Sequence, residues 1–454
     1  MINLFTYSIS FFIGFLIIRF ILGEKTNISL FLHCALSVGL GLGVCAITTF
    51  LFLLIFGQFS QAGLITTNAL LLLILGALNF LTLPKNSYLP PLEKMKHETA
   101  FNITALAFCL LTAILISILS QQFSFGGWDA WGLYNMKAKF LIYGGKNWTD
   151  VAKVHWHTQP SYPLLLPLIN TWIFSVFQKN LIEVASMTGV IFSISCGLLL
   201  YAGLSLFIQR PIAFLASLLL LTTPSYIFWG TVQYADVLLA YYLLASIILL
   251  ILTLRTLKPR MALLAGLFWG MMPFAKNEGI VMLVLFIVTT SGLLLLDKTY
   301  HRAKSLRLIK NLLLGASATV FMNLVFKIFL APATREILFN PLTRKLPYCN
   351  FEGFLTTVLF FIKTIMSLGW ILTWILIGLL AIANYKKWFA LKEARILALI
   401  FAGFSLSLLY VYMTTVHFDL AWRLECTSTR ISFYLLPAAL FISFYTFWTK
   451  TPKN

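Results

Sequence analysis

A single acid between two tryptophans stands near the start of the longest polar stretch in an otherwise apolar chain. Asp129 lies between Trp128 and Trp131, and Lys137 and Lys139 follow it. The aromatic residues recur at helical spacing, which predicts a short helix lying at the level of the lipid headgroups. A carboxylate at the start of such a helix could deprotonate a hydroxyl as a general base, or bind a divalent cation. The alternative is that Asp129 only caps the helix.

Two further polar tips carry ionisable residues between apolar runs. Asp236 ends the tip TVQYAD, and Lys276 and Glu278 belong to the tip KNEG. An ionisable group at the end of a membrane span is costly unless it faces a cavity or a partner of opposite charge. Asp236 is therefore a second catalytic candidate, with capping or structural ion pairing as alternatives. Lys276 could hold a phosphate, or it could pair with Glu278 and neutralise other groups at the tip.

The last polar stretch and the first one supply the remaining candidates. Arg423 and Arg430 could each bind a phosphate through the guanidinium group, although Arg430 could instead only extend from a span towards the headgroups. His155 and His157 form an HxH pair, but no third metal ligand is evident by spacing.

The composition defines the class of protein. The 454 residues are 60% hydrophobic and 10% charged, whereas soluble domains have about 25% charged residues. The chain is therefore expected to be an all-α polytopic membrane protein, with the lipid bilayer as its surroundings. Its net charge of +19 is spread over short loops between apolar runs. This pattern indicates topology signals and anionic headgroup contacts rather than a nucleic-acid partner.

The apolar runs predict about 13 membrane spans. The predicted spans are 2–22, 28–57, 62–84, 100–120, 183–208, 211–229, 237–257, 261–275, 280–296, 308–330, 354–384, 394–415 and 430–448.

One short apolar segment decides the topology. Segment 163–177 contains two prolines and is shorter than a usual span. If it does not cross, most Lys and Arg residues lie on one side, which the positive-inside rule makes the cytoplasm. The segment then lies in the outer interface or re-enters, and the N-terminus is outside and the C-terminus cytoplasmic. Outer loops follow at 121–182, 331–353 and 416–430. Cys349 and Cys426 fall in two of these loops and could form a disulfide or remain separate thiols.

The order of these features resembles the GT-C glycosyltransferases, which include protein O-mannosyltransferases and the aminoarabinose transferases of lipid A. GWDAW after an early span resembles the first outer loop of the family, which carries an essential acid. YPLLLP resembles the proline-led second interfacial helix, and 183–236 resembles the next two spans and the second acidic loop. KNEG and TSTR look like features of uncharacterised bacterial members.

The resemblance covers about residues 100–300 and implies an organisation and a chemistry. Residues 1–99 would be an N-terminal three-span extension, 100–300 a catalytic core, and 301–454 a set of C-terminal membrane helices. The implied enzyme transfers a sugar from a polyprenyl-phosphate donor to a glycan, lipid or protein acceptor, with inversion, on the outer face of a bacterial inner membrane.

The resemblance also implies roles for the candidate residues. Asp129 would be the general base and Asp236 the second acid. The phosphate would be held by residues chosen from Lys137, Lys139, Lys276, Arg423 and Arg430. The chain has a lone Asp129 where the family has an acidic pair, so a divalent metal ion is an open possibility.

Two other classes of protein fit some of these features. A transporter or flippase for a lipid-linked or anionic solute would also have ionisable residues at span ends, but transporters tend to show internal repeats and midplane charges. The sequence shows no convincing repeat, and its acids cluster at loop tips, which favours an enzyme. A non-catalytic subunit of an envelope complex is the third interpretation.

Overall fold

The structure is a computed structural model that describes residues 4–23, 28–82, 96–153, 159–177, 181–332, 348–414 and 419–449. Within these ranges the chain is helical and contains no β-strand. The helices are α1 (Leu4–Leu22), α2 (Leu30–Phe56), α3 (Gln61–Thr82), α4 (Lys96–Gln122), α5 (Asn135–Tyr143), α6 (Leu165–Phe177), α7 (Leu181–Leu204), α8 (Arg210–Thr222), α9 (Pro224–Thr231), α10 (Asp236–Thr256), α11 (Pro259–Ala275), α12 (Glu278–Leu296), α13 (Arg302–Val325), α14 (Phe351–Ile365), α15 (Ile371–Ala383), α16 (Tyr385–Ala390), α17 (Lys392–Thr414) and α18 (Leu420–Trp448). Shorter helical segments are the π-helical turn Ala130–Tyr134, the 3₁₀ helix Gly145–Ala152 and the π-helical segment Phe326–Leu330.

The described part of the chain has 10 helices long and apolar enough to cross a membrane, or 11 if α8 and α9 are counted as one span. The all-α polytopic class is therefore confirmed, and the predicted number of about 13 spans is not. The difference comes from interrupted helices. Predicted span 211–229 is bent by 60° between α8 and α9, because Pro224 disfavours the helical conformation of the residue before it.

Two other predicted spans also differ from the structure. Predicted span 354–384 consists of the two shorter helices α14 and α15, separated at residues 366–370. Predicted span 261–275 corresponds to α11, which has only 17 residues. These short helices do not reach the usual spanning length by themselves.

The last helix begins ten residues earlier than expected. The sequence predicts an outer loop at 416–430, but α18 begins at Leu420 and contains Arg430. The carboxylate of Asp419 accepts hydrogen bonds from the backbone N–H groups of Ala421 and Trp422 at 3.0 and 3.2 Å. This side-chain cap starts the helix before its polar first turns, so the loop prediction is wrong for residues 420–430.

Helices α4 and α7 run in opposite directions, which determines how the chain between them is routed. The hydroxyl of Tyr201, near the end of α7, donates to Asn102, near the start of α4, at 2.8 Å. The end of α4 and the start of α7 therefore lie at the same end of the bundle. This agrees with the prediction that segment 163–177 does not cross.

Helix α6 occupies most of segment 163–177 and lies inside the bundle. Its residues from Leu165 to Ser175 are buried, and the indole N–H of Trp172 donates to Ser10 of α1 at 2.9 Å. Thr188 of α7 donates to the amide oxygen of Asn170 at 2.8 Å. Of the two predicted placements, this burial favours a re-entrant helix over one lying on the surface.

The first spans pack against the rest of the bundle. The ring of Phe50 in α2 lies 6.3 Å from that of Trp148 and 6.4 Å from that of Phe274. The hydroxyl of Tyr242 in α10 donates to the carbonyl of Gly39 at 2.9 Å. The predicted N-terminal extension thus helps to position the helices that carry the candidate site.

Candidate active site

Asp129 lies directly before the π-helical turn Ala130–Tyr134, with its backbone fixed to the second acidic tip. Its N–H donates to the hydroxyl of Tyr234 at 3.1 Å. Its carboxylate makes no capping hydrogen bond and instead accepts from Nη1 of Arg430 at 2.6 Å. The Asp129 side chain is 24% exposed. Asp129 is therefore an accessible acid paired to an arginine, and the capping alternative does not describe it.

Two glycines before Asp129 allow this close approach. The N–H of Gly127 donates to the carbonyl of Val232 at 3.0 Å. A Cβ atom at Gly127 would lie only 2.3 Å from the hydroxyl of Tyr234. Gly126 has a φ of +71°, which glycine adopts without strain. The GGWDAW sequence can therefore lie flat against the TVQYAD tip.

Gln233 joins the two ends of this segment. Its side-chain amide donates to the carbonyl of Ser124 at 3.1 Å, and its amide oxygen accepts from Asn135 at 2.9 Å. Gln233 is 2% exposed. Neither Gln233 nor Tyr234 was predicted as a site residue, and the available signal was their position beside Asp236.

Asp236 is buried and binds two cations. Its side chain is 1% exposed. One carboxylate oxygen accepts from Nζ of Lys276 at 2.9 Å. The other accepts from Nη2 and Nε of Arg430 at 2.9 and 3.2 Å. The structural-pair alternative describes this geometry, since both oxygens are held and neither caps α10.

Arg430 connects the two predicted acids. It reaches them from α18, where its guanidinium carbon lies 4.6 Å from the centroid of the Tyr234 ring. The flat guanidinium thus bonds Asp129 with one nitrogen and Asp236 with the other two. A lysine could not reproduce this planar arrangement of donors.

The KNEG tip supplies the second cation and a third acid. Nζ of Lys276 lies 2.9 Å from Oε1 of Glu278 and 5.3 Å from the ring centroid of Tyr434. The turn is tight, because a Cβ at Gly279 would lie 2.0 Å from the carbonyl oxygen of Met272. The Lys276 side chain is 3% exposed and that of Glu278 is 27% exposed, as expected for a tip inside the bundle.

We call Asp129, Asp236, Lys276, Glu278 and Arg430 the charge cluster. It contains three carboxylates and two cations, so one negative charge is in excess. The side chains of Asp129 and Glu278 are 24% and 27% exposed, against 13% for Arg430 and 3% for Lys276, but both oxygens of Glu278 are taken up, one by Lys276 and one by burial. Both predicted phosphate-binding cations in the cluster are thus already paired with carboxylates.

Tyrosine hydroxyls border the charge cluster. Burial, followed by the nearby Asp236, raises the pKa of Tyr134 well above its usual value. Burial and then Asp129 raise the pKa of Tyr234 to about 12. Both phenols therefore stay protonated at neutral pH. The hydroxyls of Tyr134 and Tyr434 and Oε2 of Glu278 are buried and have no hydrogen-bond partner among the described residues.

Lys137 binds backbone carbonyl groups of the loop before α6. Its ammonium donates to the carbonyls of Gln159, Pro160 and Tyr162 at 3.1, 3.3 and 2.9 Å. Lys137 is 1% exposed. These contacts give it a part in holding the loop, which sequence reasoning did not foresee.

Lys327 fixes the same loop from α13's π-helical extension. Its ammonium donates to the carbonyl of Ser161 and, at 2.7 Å, to the side-chain oxygen of Asn277 in the KNEG tip. Lys327 was not among the site residues predicted from the sequence. The signal was a lysine within an apolar span end.

Arg423 binds backbone carbonyl groups of a neighbouring helix. It lies on α18, is 8% exposed, and donates to the carbonyls of Val411 and Tyr412 at 3.0 and 3.4 Å. These contacts tie α18 to the end of α17. Arg423 and Arg430, grouped together as phosphate clamps from sequence, thus have different surroundings.

The remaining predicted residues lie at the surface or outside the described ranges. Trp128 and Trp131 pack edge to face with centroids 4.3 Å apart, and both are exposed, as is Lys139. Their exposure fits the predicted aromatic contact with headgroups. His155 and His157 lie outside the described residues.

The described side chains form neither a metal-binding group nor the disulfide between Cys349 and Cys426. In the described ranges, no group of three or more His, Cys, Asp or Glu residues could hold a metal ion. Cys349 and Cys426 are exposed free thiols, so the disulfide that the sequence allowed is not formed in this structure.

An apolar groove lies where α4 leads into the Asp129 loop. Its volume is about 200 Å³. The groove is lined by Leu115, Leu119, Phe123, Pro224, Ile227, Phe228 and Thr231. Its lining residues come from the end of α4, from the turn that follows α4 and from α9.

The fold and the site together define a polytopic helical membrane protein with a largely buried charge cluster, in which Asp129 provides an accessible carboxylate. Comparison with known proteins adds no closer assignment, since no family model, curated protein or solved structure matches the chain significantly.

Proposed function

We propose that the protein is a membrane glycosyltransferase that moves a sugar from a polyprenyl-phosphate donor to an acceptor hydroxyl. The observation that supports it most is the pairing, through Arg430, of an accessible acid with a buried one. Asp129 is 24% exposed and Asp236 is 1% exposed. An accessible carboxylate beside fixed cations is what proton removal and phosphate binding at one place require.

In the proposed reaction, Asp129 accepts the proton of the acceptor hydroxyl. The acceptor oxygen bonds to the anomeric carbon while the bond from that carbon to the phosphate oxygen breaks. The leaving polyprenyl phosphate keeps the electron pair, and attack in line inverts the anomeric centre. Arg430 and Lys276 stabilise the charge that develops on the leaving phosphate.

Other residues receive supporting roles in this proposal. Asp236 positions both cations, because its two oxygens are bound to them. Lys137 positions the loop at 159–162 through its carbonyl contacts. A divalent ion could bind at Asp129, whose partly exposed carboxylate is a suitable oxygen ligand.

The surroundings of the cluster suit a lipid-borne donor. The apolar groove between α4 and α9 lies at the start of the Asp129 loop, so a prenyl tail in it would bring its phosphate towards the charge cluster. Trp128 and Trp131 would mark the headgroup level. In this proposal the site faces the outer side of a bacterial inner membrane, and the acceptor is a glycan, a lipid or a protein.

Asp129→Asn tests the proposal. The variant removes the base while keeping the shape, so sugar transfer should fall by about 10²–10⁴-fold. Purified protein is incubated with a panel of polyprenyl-phosphate sugars, and donor turnover is followed by mass spectrometry. Asp150→Asn is the matched control, because Asp150 is an exposed acid of the same loop, paired only with Lys153 in the described structure. Equal turnover by wild type and Asp129→Asn would remove Asp129 as the base.

A transporter or flippase for a lipid-linked or anionic solute is the second candidate. The buried pair between Lys276 and Asp236, at the ends of α11 and α10, favours it, since paired buried charges in membrane proteins are also typical of transport pathways. Reconstituted vesicles separate the two functions: movement of an intact lipid-linked sugar across the bilayer, without cleavage, would support the transporter.

A further inference from the structure

Arg430 has two carboxylate partners that differ in their access to solvent. Asp236 takes Nε and Nη2 and is 1% exposed, whereas Asp129 takes Nη1 and is 24% exposed. An incoming anion can therefore replace only Asp129 without first opening the bundle. The contact with Asp236 keeps the guanidinium in place during such an exchange.

The charge balance favours this exchange over simple addition. Three carboxylates already surround two cations in the charge cluster. A phosphate added beside all three would meet an excess of negative charge, because like charges at short range repel. A phosphate that takes the place of Asp129 meets Arg430 without that neighbour.

We infer that Arg430 Nη1 is a phosphate-binding position that Asp129 occupies in this structure, and that a phosphate monoester or diester displaces Asp129 from it. The inference rests on the proposed function and adds a regulation to it. While Nη1 of Arg430 holds Oδ2 of Asp129 at 2.6 Å, that oxygen is not available to an acceptor hydroxyl. The donor phosphate would thus release the base, so that the donor must bind before the acceptor is activated.

Unsatisfied polar atoms beside the cluster provide an independent observation. The buried hydroxyl of Tyr134 has no partner among the described residues, and nor does that of Tyr434. The ring of Tyr434 lies 5.3 Å from Nζ of Lys276, and the ring of Tyr134 lies 6.3 Å from that of Tyr234, which contacts Arg430. Two donors therefore remain for a ligand rich in acceptors.

Equilibrium binding to the purified full chain tests the exchange. The probes are a polyprenyl phosphate, the matching uncharged polyprenol and inorganic phosphate. Asp129→Asn removes the competing charge, so it should bind the polyprenyl phosphate about five- to tenfold more tightly than wild type. Polyprenol binding should not change, and Asp150→Asn should behave as wild type.

The arms of the experiment separate the possible sources of the phosphate. A gain for inorganic phosphate as well supports the exchange and shows that the phosphate group alone is sufficient. A gain limited to the lipid phosphate supports it with the tail required for access. Unchanged or weaker binding of both phosphates by Asp129→Asn, or an equal gain for polyprenol, overturns the inference.

Glu278→Gln provides a second variant, because Glu278 is the other partly exposed acid of the cluster. It should also bind polyprenyl phosphate more tightly, but by less than Asp129→Asn, since it leaves Nη1 of Arg430 occupied. Tighter phosphate binding without any sugar transfer in wild type would end the glycosyltransferase proposal while the exchange stands. Sugar transfer by wild type, with the same phosphate affinity in wild type and Asp129→Asn, would end the exchange inference while the glycosyltransferase proposal stands.

Discussion

The two ends of the helical bundle carry ion pairs of similar length but of different character. At the end opposite the site, Arg255 pairs with Glu393 at 3.1 Å, and their side chains are 36% and 14% exposed. At the site, Lys276 pairs with Asp236 at 2.9 Å, and their side chains are 3% and 1% exposed. Distance alone therefore does not distinguish the pairs, and burial does.

The pairs also differ in how charges are shared. Arg255 lies against the rings of Phe207 and Tyr445 at 4.8 and 5.3 Å, so the pair fastens the ends of packed helices. In the charge cluster, by contrast, one carboxylate is shared by two cations, since Asp236 binds both Arg430 and Lys276. Removing two charges from water has a desolvation cost that their mutual attraction often does not offset. One end of the bundle thus has a partly exposed ion pair that anchors packed helices, and the other has a buried cluster of charges.

Removal of Arg430 should have the largest effect. Arg430→Gln leaves Asp236 buried with one cation and Asp129 without its partner, which should cost about 3–5 kcal/mol of unfolding free energy and abolish sugar transfer. The matched variant Arg255→Gln removes a partly exposed arginine and should cost below about 1 kcal/mol. Unfolding of both proteins in the same detergent measures the difference, and equal losses would contradict the distinction between the two ends.

Removal of a complete buried pair should cost less than its single substitutions predict together. Asp236→Asn leaves Lys276 with Glu278 as its only acid, and Lys276→Met leaves Asp236 with Arg430 as its only cation, whereas the double variant removes both charges of the pair. A double-mutant cycle should therefore give a coupling of about 1–3 kcal/mol between the two positions. Additive losses would mean that the two side chains do not depend on each other, and that Arg430 alone neutralises Asp236.

The sequence was sufficient to identify the members of the charge cluster, because ionisable residues near span ends are few in so apolar a chain. It also predicted most of the spans and the routing of segment 163–177. The partners could not be predicted. Arg430 lies 301 residues from Asp129 and 194 from Asp236, and nothing local in the sequence indicates that one guanidinium joins them.

The partners of Lys137 and Arg423 could not be predicted from the sequence either. Both are buried cations that donate to backbone carbonyls, which have no sequence signature. The break between α8 and α9 was missed for a different reason: Pro224 marks it in the sequence, but the two helices form one apolar run. Residue type and hydropathy report the cost of burial, whereas only tertiary structure specifies the contact that offsets it.

The smallest expected effect lies at the end opposite the site and depends on pH. Hydrogen bonds from Lys392 and then from Thr299 lower the pKa of Asp297 to about 2. Because the folded-state pKa lies below the unfolded value of about 3.9, the contact stabilises the protein above about pH 4 and is lost as the pH falls towards 2.

Asp297→Asn should therefore lower the melting temperature slightly at pH 7, by an amount that corresponds to below about 1 kcal/mol, and the difference from wild type should shrink as the pH approaches 2. Asp236→Asn provides the contrast, because its buried carboxylate binds two cations and its substitution should be costly at pH 7. If Asp297→Asn proved as destabilising as Asp236→Asn at pH 7, the partly exposed pair of Asp297 and Lys392 would be equivalent to the buried one. Burial would then no longer separate the anchoring end of the bundle from the charge cluster.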